Sequence, residues 1–190
     1  VNSIGFVDKQ CGRNDVASLD KLSAFDQLKK GMALCNDAFF DPSSEAVLPS
    51  ERSVQGNATD AAVLRLSASL PGSEEIKAAY RRVYDIPFNS KNKFMLTVMR
   101  SNDESANPSA DDMFVKGAPD VLMPRISHFF SAEDGQTKVF DETARSQLVN
   151  MQETWSRRGE RVILLAKRRF SAAFKPGTSD YEEEVAAACE

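Results

Sequence analysis

The sequence predicts an α+β protein built around a mainly antiparallel sheet. Apolar residues recur at helical spacing in the first part of the chain, and strand-like segments then follow one another with short polar turns between them. Hydrophobic residues make up 42% and charged residues 27% of the 190 residues, as in ordinary folded proteins. A chain of this length can bury one substantial core, so we expect a single domain over residues 1–190.

Three helices are predicted from apolar stripes with steps of three and four residues. Their approximate ranges are 22–35, 57–70 and 141–158. Ser18 stands where it would cap the first helix, and either Asn57 or Thr59 would cap the second. Asp60 suits the positive end of the second helix dipole. Gly159 follows the third helix at the position that favours a left-handed C-cap.

Strand-like segments occupy residues 83–86, 94–99, 113–116 and 162–167. Pro87 must lie at the end or edge of the first of these, because proline donates no hydrogen bond to a ladder. Asn89, Ser90 and Asn92 are turn formers, so the first two strands are predicted to form a hairpin. The polar stretch from Ser101 to Asp111 is predicted to be an exposed, mobile loop.

Several function classes are disfavoured by composition and by missing motifs. The net charge of -4 argues against a nucleic-acid binder, and no apolar run approaches the roughly 18 residues that span a bilayer. The chain has neither a GxxxxGK[ST] phosphate loop nor a GxGxxG fingerprint. His128 is the only histidine and has no evident nucleophile partner, so a structural role is expected. Three widely spaced cysteines favour a reducing compartment.

Four short blocks, taken in their order and spacing, resemble the nucleotide-binding domain of P-type ATPases. They read GNATDAA at 56–62, IPFNSKNKFM at 86–95, FVKGAPD at 114–120 and GERV at 159–162. The phrase IPFNS.NK is most similar to the sodium/potassium and proton/potassium pumps. The resemblance implies an antiparallel sheet of about seven strands flanked by helices. It also implies that the chain is a fragment of a larger membrane pump, whose phosphorylated aspartate lies in another domain.

The proposed base-binding residues agree with this resemblance. Phe88 leaves a strand just after a proline, and an adenine stacked on such a ring gains about 1 to 3 kcal/mol. By itself Phe88 would more often be a core aromatic than a binding residue. By resemblance, Lys116 lines the adenine pocket and Gly117, which allows close approach, contributes to its wall. Lys93 is a long cation that can reach the ribose or phosphates, or else a solvated hairpin charge.

Other positions match the family less closely. Arg161 would contact the phosphate end, because guanidinium groups bind phosphate bidentately, although a surface ion pair is the alternative. Asp60 matches a family glutamate that contacts the adenine amino group, but it is one methylene shorter. Asn57 replaces a usual aspartate, and Met95 stands where sodium pumps carry glutamine. Together these departures predict weaker or slightly altered binding.

The resemblance implies an ATP-binding, cytoplasmic domain of an integral membrane protein that couples ATP hydrolysis to cation transport. ATP or ADP would be the ligand, and Mg²⁺ would be held mainly by a separate phosphorylation domain. That domain and an actuator domain of the same parent chain are the expected partners, with no nucleic acid and no direct membrane contact. The isolated piece is expected to be a monomer without turnover. The alternative is a protein-interaction module that kept the fold and lost nucleotide binding.

Overall fold

The computed structural model describes residues 3–12, 16, 19, 22–49, 51–103 and 110–189. The predicted helix cap Ser18 and residues 104–109 of the predicted loop lie outside these ranges. The chain divides into two compact units, each made of two separate stretches. The first unit comprises residues 1–28 and 117–164, and the second comprises 29–116 and 165–190. One domain over residues 1–190 therefore stays a prediction.

Helices and strands alternate irregularly along the described chain, which confirms the α+β class. The α-helices are α1 Ser23–Leu34, α2 Ala58–Ala68, α3 Ser73–Ala78, α4 Pro119–Leu122, α5 Glu142–Arg157 and α6 Ser179–Ala188. The strands are β1 Ser3–Phe6, β2 Lys9–Gly12, β3 Phe39–Phe40, β4 Val54–Gln55, β5 Tyr80–Ile86, β6 Phe94–Ser101, β7 Asp111–Gly117, β8 His128–Phe130, β9 Thr137–Val139 and β10 Leu164–Phe170. The three predicted helices correspond to α1, α2 and α5. The first three predicted strand segments fall within β5, β6 and β7, and the fourth overlaps β10, which begins two residues later than predicted.

The predicted caps at Asn57 and Gly159 are confirmed, and the structure adds an N-cap at Asp141. The Asn57 side chain accepts a hydrogen bond from the backbone N–H of Asp60, so Asn57 is the N-cap of α2. Asp141 caps α5 in the same way, accepting from the N–H of Ala144. Gly159 follows α5 with φ at 77°, the left-handed conformation that glycine adopts without a Cβ penalty.

The main sheet has four strands in the order β10-β7-β6-β5 and belongs to the second unit. β5 and β6 are antiparallel, with Ile86 opposite Leu96, which confirms the predicted hairpin. In the described residues this is the largest sheet, and the remaining strands pair in three two-stranded ribbons. The predicted sheet of about seven strands is therefore not seen there. The ribbon strands are two to four residues long, and each pairs with its ribbon partner rather than with a strand of the four-stranded sheet.

One face of the four-stranded sheet packs against the end of α1. Met95, Met99 and Phe114 are buried there together with Leu34 and Cys35. Side chains two apart on a strand share a face, so Lys116 of β7 points to the same side as Phe114. The side chain of Lys116, the lysine of the FVKG block, therefore lies in the apolar layer on this face.

The opposite sheet face is covered by α6, a helix that the apolar pattern did not predict. Tyr181 of α6 makes edge-to-face contacts with Tyr84 and Phe170, with ring centroids 5.5 and 5.9 Å away. Tyr84 lies opposite Val98, which places this cluster on the side away from Met99. The second unit thus has its sheet sandwiched between helices.

The Tyr181 hydroxyl is buried and has no hydrogen-bond partner among the described protein groups. Burial raises the pKa of Tyr181 to about 12, so the phenol is neutral near pH 7. Because the buried hydroxyl makes no hydrogen bond to a described group, replacing this tyrosine by phenylalanine removes no stabilising interaction. We therefore expect Tyr181→Phe to leave the free energy of unfolding unchanged or raise it by up to about 1 kcal/mol. Urea denaturation at pH 7 checks this, and a loss above about 1 kcal/mol would reveal a missing polar partner.

The first unit is built on α5 and two β-ribbons. Met123, Phe140 and Ala144 form its buried cluster, with Ile126, Phe129, Leu148 and Leu164 packed around them. The Asp8 carboxylate accepts hydrogen bonds from the Ser131 hydroxyl at 2.6 Å and the Ala132 N–H at 2.9 Å. These contacts tie the β1–β2 turn to the β8–β9 turn. No helix in the described ranges is long and apolar enough to cross a bilayer.

Candidate functional site

Phe88 lies just beyond the end of β5, after Pro87, as the sequence predicts. Its side chain is 49% exposed, so the ring is not part of the core. Large aromatic side chains are usually mostly buried, and a half-exposed phenylalanine held at a strand end offers a face to a planar ligand. The position therefore satisfies the main geometric requirement of a stacking residue.

The turn that follows Phe88 is closed by Asn89. The Asn89 carbonyl accepts from the Lys93 N–H at 2.8 Å, and its side chain accepts from the Asn92 N–H at 2.7 Å. Lys93 has φ at 58°, the left-handed region that non-glycine residues rarely adopt. The hydrogen bonds hold this conformation, so Phe88 and Lys93 bracket one tight, exposed turn.

Asp60 and Lys116 are brought together in the second unit. The Lys116 Nζ lies 2.6 Å from Asp60 Oδ1, and each side chain is only 5% exposed. α2 positions the carboxylate through its first turn, and β7 positions the ammonium at the strand end. A buried ion pair of this kind is worth little net energy when intact, but either charge is costly to leave alone. The pair therefore restrains both side chains.

Met95 and Cys35 lie in the apolar layer that contains Lys116. Met95 is fully buried, so its side chain has no exposed surface for a ligand. The Cys35 thiol donates weakly to the carbonyls of Met95 and Phe114, and burial raises the pKa of Cys35 to about 11. This thiol is therefore protonated near neutral pH and is unsuited to nucleophilic chemistry.

The remaining predicted site residues belong to the first unit. Gly117 is the last residue of β7 and is buried, whereas Arg161 is exposed in the segment between α5 and β10. Their roles at a ligand site stay predictions. Among the described residues, no group of three or more histidine, cysteine or acidic side chains could hold a metal ion. The assembled features thus suit binding through an exposed ring and a lysine.

The sequence pattern missed the residues that surround Asp60. Asn36 and Asp37 follow α1 and contact Asp60 through a side-chain amide and a backbone N–H. Nothing in the spacing of residues 36, 37 and 60 signals this contact, because it depends on how α1 and α2 pack. A capping pattern at Asn57 was the available clue, and it located only the start of α2.

Residues 24–188 match the model of a family described as P-type ATPase, cytoplasmic domain N. The chain belongs to this family. The P-type ATPase N-domain match covers nearly the whole chain, including α1, the four-stranded sheet, α5 and α6. The resemblance carried by the four sequence blocks is therefore confirmed.

Curated relatives of this N domain are cation pumps. A potassium-transporting ATPase alpha chain 2 from Cavia porcellus is 32% identical over 164 residues, covering 82% of this chain and 16% of that protein. The same-named protein from Oryctolagus cuniculus is 30% identical over 158 residues, 83% of this chain and 14% of that protein. A sodium/potassium-transporting ATPase subunit alpha from Drosophila melanogaster is 28% identical over 162 residues, 82% of this chain and 15% of that protein. The chain thus spans about a sixth of the length of these relatives.

Proposed function

We propose that this chain is the ATP-binding domain of a P-type cation-transporting ATPase and holds ATP by stacking adenine on Phe88. The observation that carries the proposal is the half-exposed Phe88 ring at the end of β5, on a chain that belongs to the N-domain family. Any base can stack on such a ring, and each stacked base gains about 1 to 3 kcal/mol. Stacking on Phe88 therefore contributes the largest part of the binding free energy.

Charged residues complete the proposed site. Lys93, on the same tight turn as Phe88, reaches the ribose or phosphates of the stacked nucleotide. Lys116, at the end of β7, is assigned to the adenine pocket by the family resemblance. Gly117 and Arg161 belong to the first unit, and the same resemblance assigns them to the pocket wall and to bidentate contact with the phosphate end. Met95 is fully buried in the apolar layer, so it would support the site from behind without touching the nucleotide. These roles extend the family assignment to individual residues.

In the intact pump, the domain would leave the γ-phosphate outward, for delivery to an aspartate in a separate phosphorylation domain. Phosphoryl transfer depends mainly on positioning and electrostatic stabilisation, and this chain would supply the positioning of the nucleotide. Mg²⁺, held mainly by the phosphorylation domain, would neutralise phosphate charge during transfer. Phosphorylation and actuator domains of the same parent chain are the proposed partners, on the cytoplasmic side of the membrane. The isolated domain binds nucleotide without turnover.

Affinity should be modest in the isolated domain. One stacked ring and a few charge contacts must overcome the entropy of association. The remaining free energy of about 4 kcal/mol corresponds to roughly millimolar binding. Backbone amide chemical shifts followed during an ATP titration would measure this, with shifts expected first at the turn between β5 and β6. A spectrum that stays unchanged at several millimolar ATP would favour a protein-interaction module instead.

Phe88→Ala should weaken ATP binding by about 1 to 3 kcal/mol, a rise of roughly five- to 150-fold in Kd, because stacking is lost. The same chemical-shift titration measures it, in the wild-type chain and in the variant. Phe39→Ala is the matched control, because Phe39 is an exposed phenylalanine of the same unit that lies outside the proposed site. An unchanged Kd in folded Phe88→Ala, or an equal loss in Phe39→Ala, would refute stacking on Phe88.

A further inference from the structure

Three basic residues lie near the end of β10, and an exposed serine follows the strand. Lys167, Arg168 and Arg169 precede Phe170, the last residue of β10, and Ser171 comes next. Ser171 therefore has one arginine two positions before it and another three positions before it. None of these residues takes part in the proposed nucleotide site.

The chain around Ser171 is accessible to an enzyme. Ser171 is exposed, and residues 171–178 form an irregular connection between β10 and α6. β10 is the outermost strand in the order β10-β7-β6-β5, so no further strand in the described ranges covers its outer edge. The residues before the serine are thus already extended, which is a form that peptide-recognition grooves commonly bind.

Both arginines are exposed and can leave their present contacts at low cost. Arg168 donates to the Ala188 carbonyl at 2.7 Å. Arg169 donates to Oδ1 of the buried Asp112 at 3.1 Å. The Lys167 ammonium lies 3.2 Å from the same Asp112 oxygen, so this carboxylate keeps a counter-charge when Arg169 turns away. The two guanidinium groups are therefore available to acidic groups of a partner.

We propose that Ser171 is a phosphorylation site for a serine/threonine protein kinase whose substrate groove carries acidic groups for the two preceding arginines. Charge patterns of this kind are one way in which kinases select their substrates. Ser171 Oγ attacks the γ-phosphorus of ATP held by the kinase, so a new O–P bond forms, the bond to the bridging oxygen breaks, and ADP leaves. The hydroxyl proton passes to the catalytic aspartate of the kinase. The proposed modification does not depend on nucleotide binding at Phe88.

A phosphate on Ser171 would lie two residues before a contact that ties this connection to α6. Both carboxylate oxygens of Glu184 accept from the Ala173 N–H, at 3.2 and 3.0 Å, and Oε2 also accepts from the Phe174 N–H at 3.5 Å. A phosphoserine carries a charge of about −1.5 to −2 near pH 7, and it is disruptive beside a carboxylate. Phosphorylation therefore weakens the Glu184 contact and loosens α6.

The folded chain is the substrate that decides the proposal, because Phe170 is buried and anchors the segment. The chain and a peptide of residues 165–177 are incubated separately with ATP, Mg²⁺ and the catalytic subunit of cyclic-AMP-dependent protein kinase, an arginine-directed enzyme. We expect one phosphate per chain, located at Ser171 by mass spectrometry, at a rate within about tenfold of the peptide. Modification of the peptide alone, of another residue instead, or of neither substrate would overturn the proposal.

Substitutions test whether the arginines direct the reaction. Ser171→Ala should abolish incorporation. Ser127→Ala is the matched control and should leave it unchanged, because exposed Ser127 has Arg125 two positions before it but a proline three positions before it. Arg168→Gln should lower the rate at least about tenfold, as expected for the loss of one charge-assisted hydrogen bond to the kinase. A rate unchanged by Arg168→Gln would contradict recognition through the arginines.

Hydrogen exchange measures the effect of the phosphate on α6. The backbone amides of α6 should exchange at least about threefold faster in the phosphorylated chain, and a phosphatase should restore the original rates. Ser171→Ala carried through the same incubation is the control. Equal exchange in the phosphorylated and unmodified chains would refute the loosening of α6.

Discussion

Asp60→Ala is expected to lower the free energy of unfolding by about 3 to 5 kcal/mol. Lys116 is only 4% exposed, between α2 and the apolar layer of the sheet, and the substitution removes the carboxylate partner of its ammonium. A charge in such a place must either be neutralised or draw in water, and both are costly. Urea denaturation at pH 7, read by circular dichroism, gives the difference from the wild-type chain.

Two further variants separate the charge effect from a general loss of contacts. Asp37→Ala breaks an ion pair with Arg82 in which both side chains are at least one-third exposed, so it should cost about 0 to 1 kcal/mol. Replacing the buried pair by apolar residues, Asp60→Leu with Lys116→Met, should recover most of the loss. A loss below about 1 kcal/mol in Asp60→Ala would mean that Lys116 reaches water easily and that the pair does not restrain it.

Phe114→Ala is the second large effect, with an expected loss of about 3 to 5 kcal/mol in the free energy of unfolding. Phe114 is 1% exposed in the middle of β7 and packs with Met95, Met99 and Leu34. Its removal leaves a cavity, because the neighbouring strand and helix limit how far the site can collapse. The Lys167 ammonium lies 5.5 Å from the ring centroid, so a cation–π contact is lost as well. Urea denaturation measures the change.

Phe88→Ala provides the matched phenylalanine control for this stability prediction. Because half of the Phe88 side chain is exposed, its removal should change the free energy of unfolding by no more than about 0.5 kcal/mol. The two variants should thus separate: Phe114→Ala loses stability, whereas Phe88→Ala loses ATP affinity. Similar stability losses in both would mean that Phe88 packs in the core in solution and that no stacking surface exists.

The candidate site was predictable where it depends on local chain geometry. Proline before Phe88 and the turn formers after it specify the end of a strand and a tight turn, and the structure confirms both. Residue patterns could not reveal that Asp60 and Lys116 meet, because 56 residues separate them and the contact depends on helix packing. Asp60 has a shorter side chain than the family glutamate, which suggested altered binding. Only the structure shows that its carboxylate is held by the Lys116 ammonium, 2.6 Å away.

For the fold, local sequence signals were sufficient to predict the segments in which apolar residues recur regularly or a capping residue is evident. Helices α1, α2 and α5 and the β5–β6 hairpin were predictable because apolar spacing, capping residues and turn residues act over a few positions. The three helices α3, α4 and α6, which are shorter or less amphipathic, could not be predicted in this way, and neither could the ribbons, whose strands have two to four residues. Tyr181 and the Asp60–Lys116 pair reach their partners across long stretches of chain, and such burial depends on which surfaces pack together rather than on any local pattern.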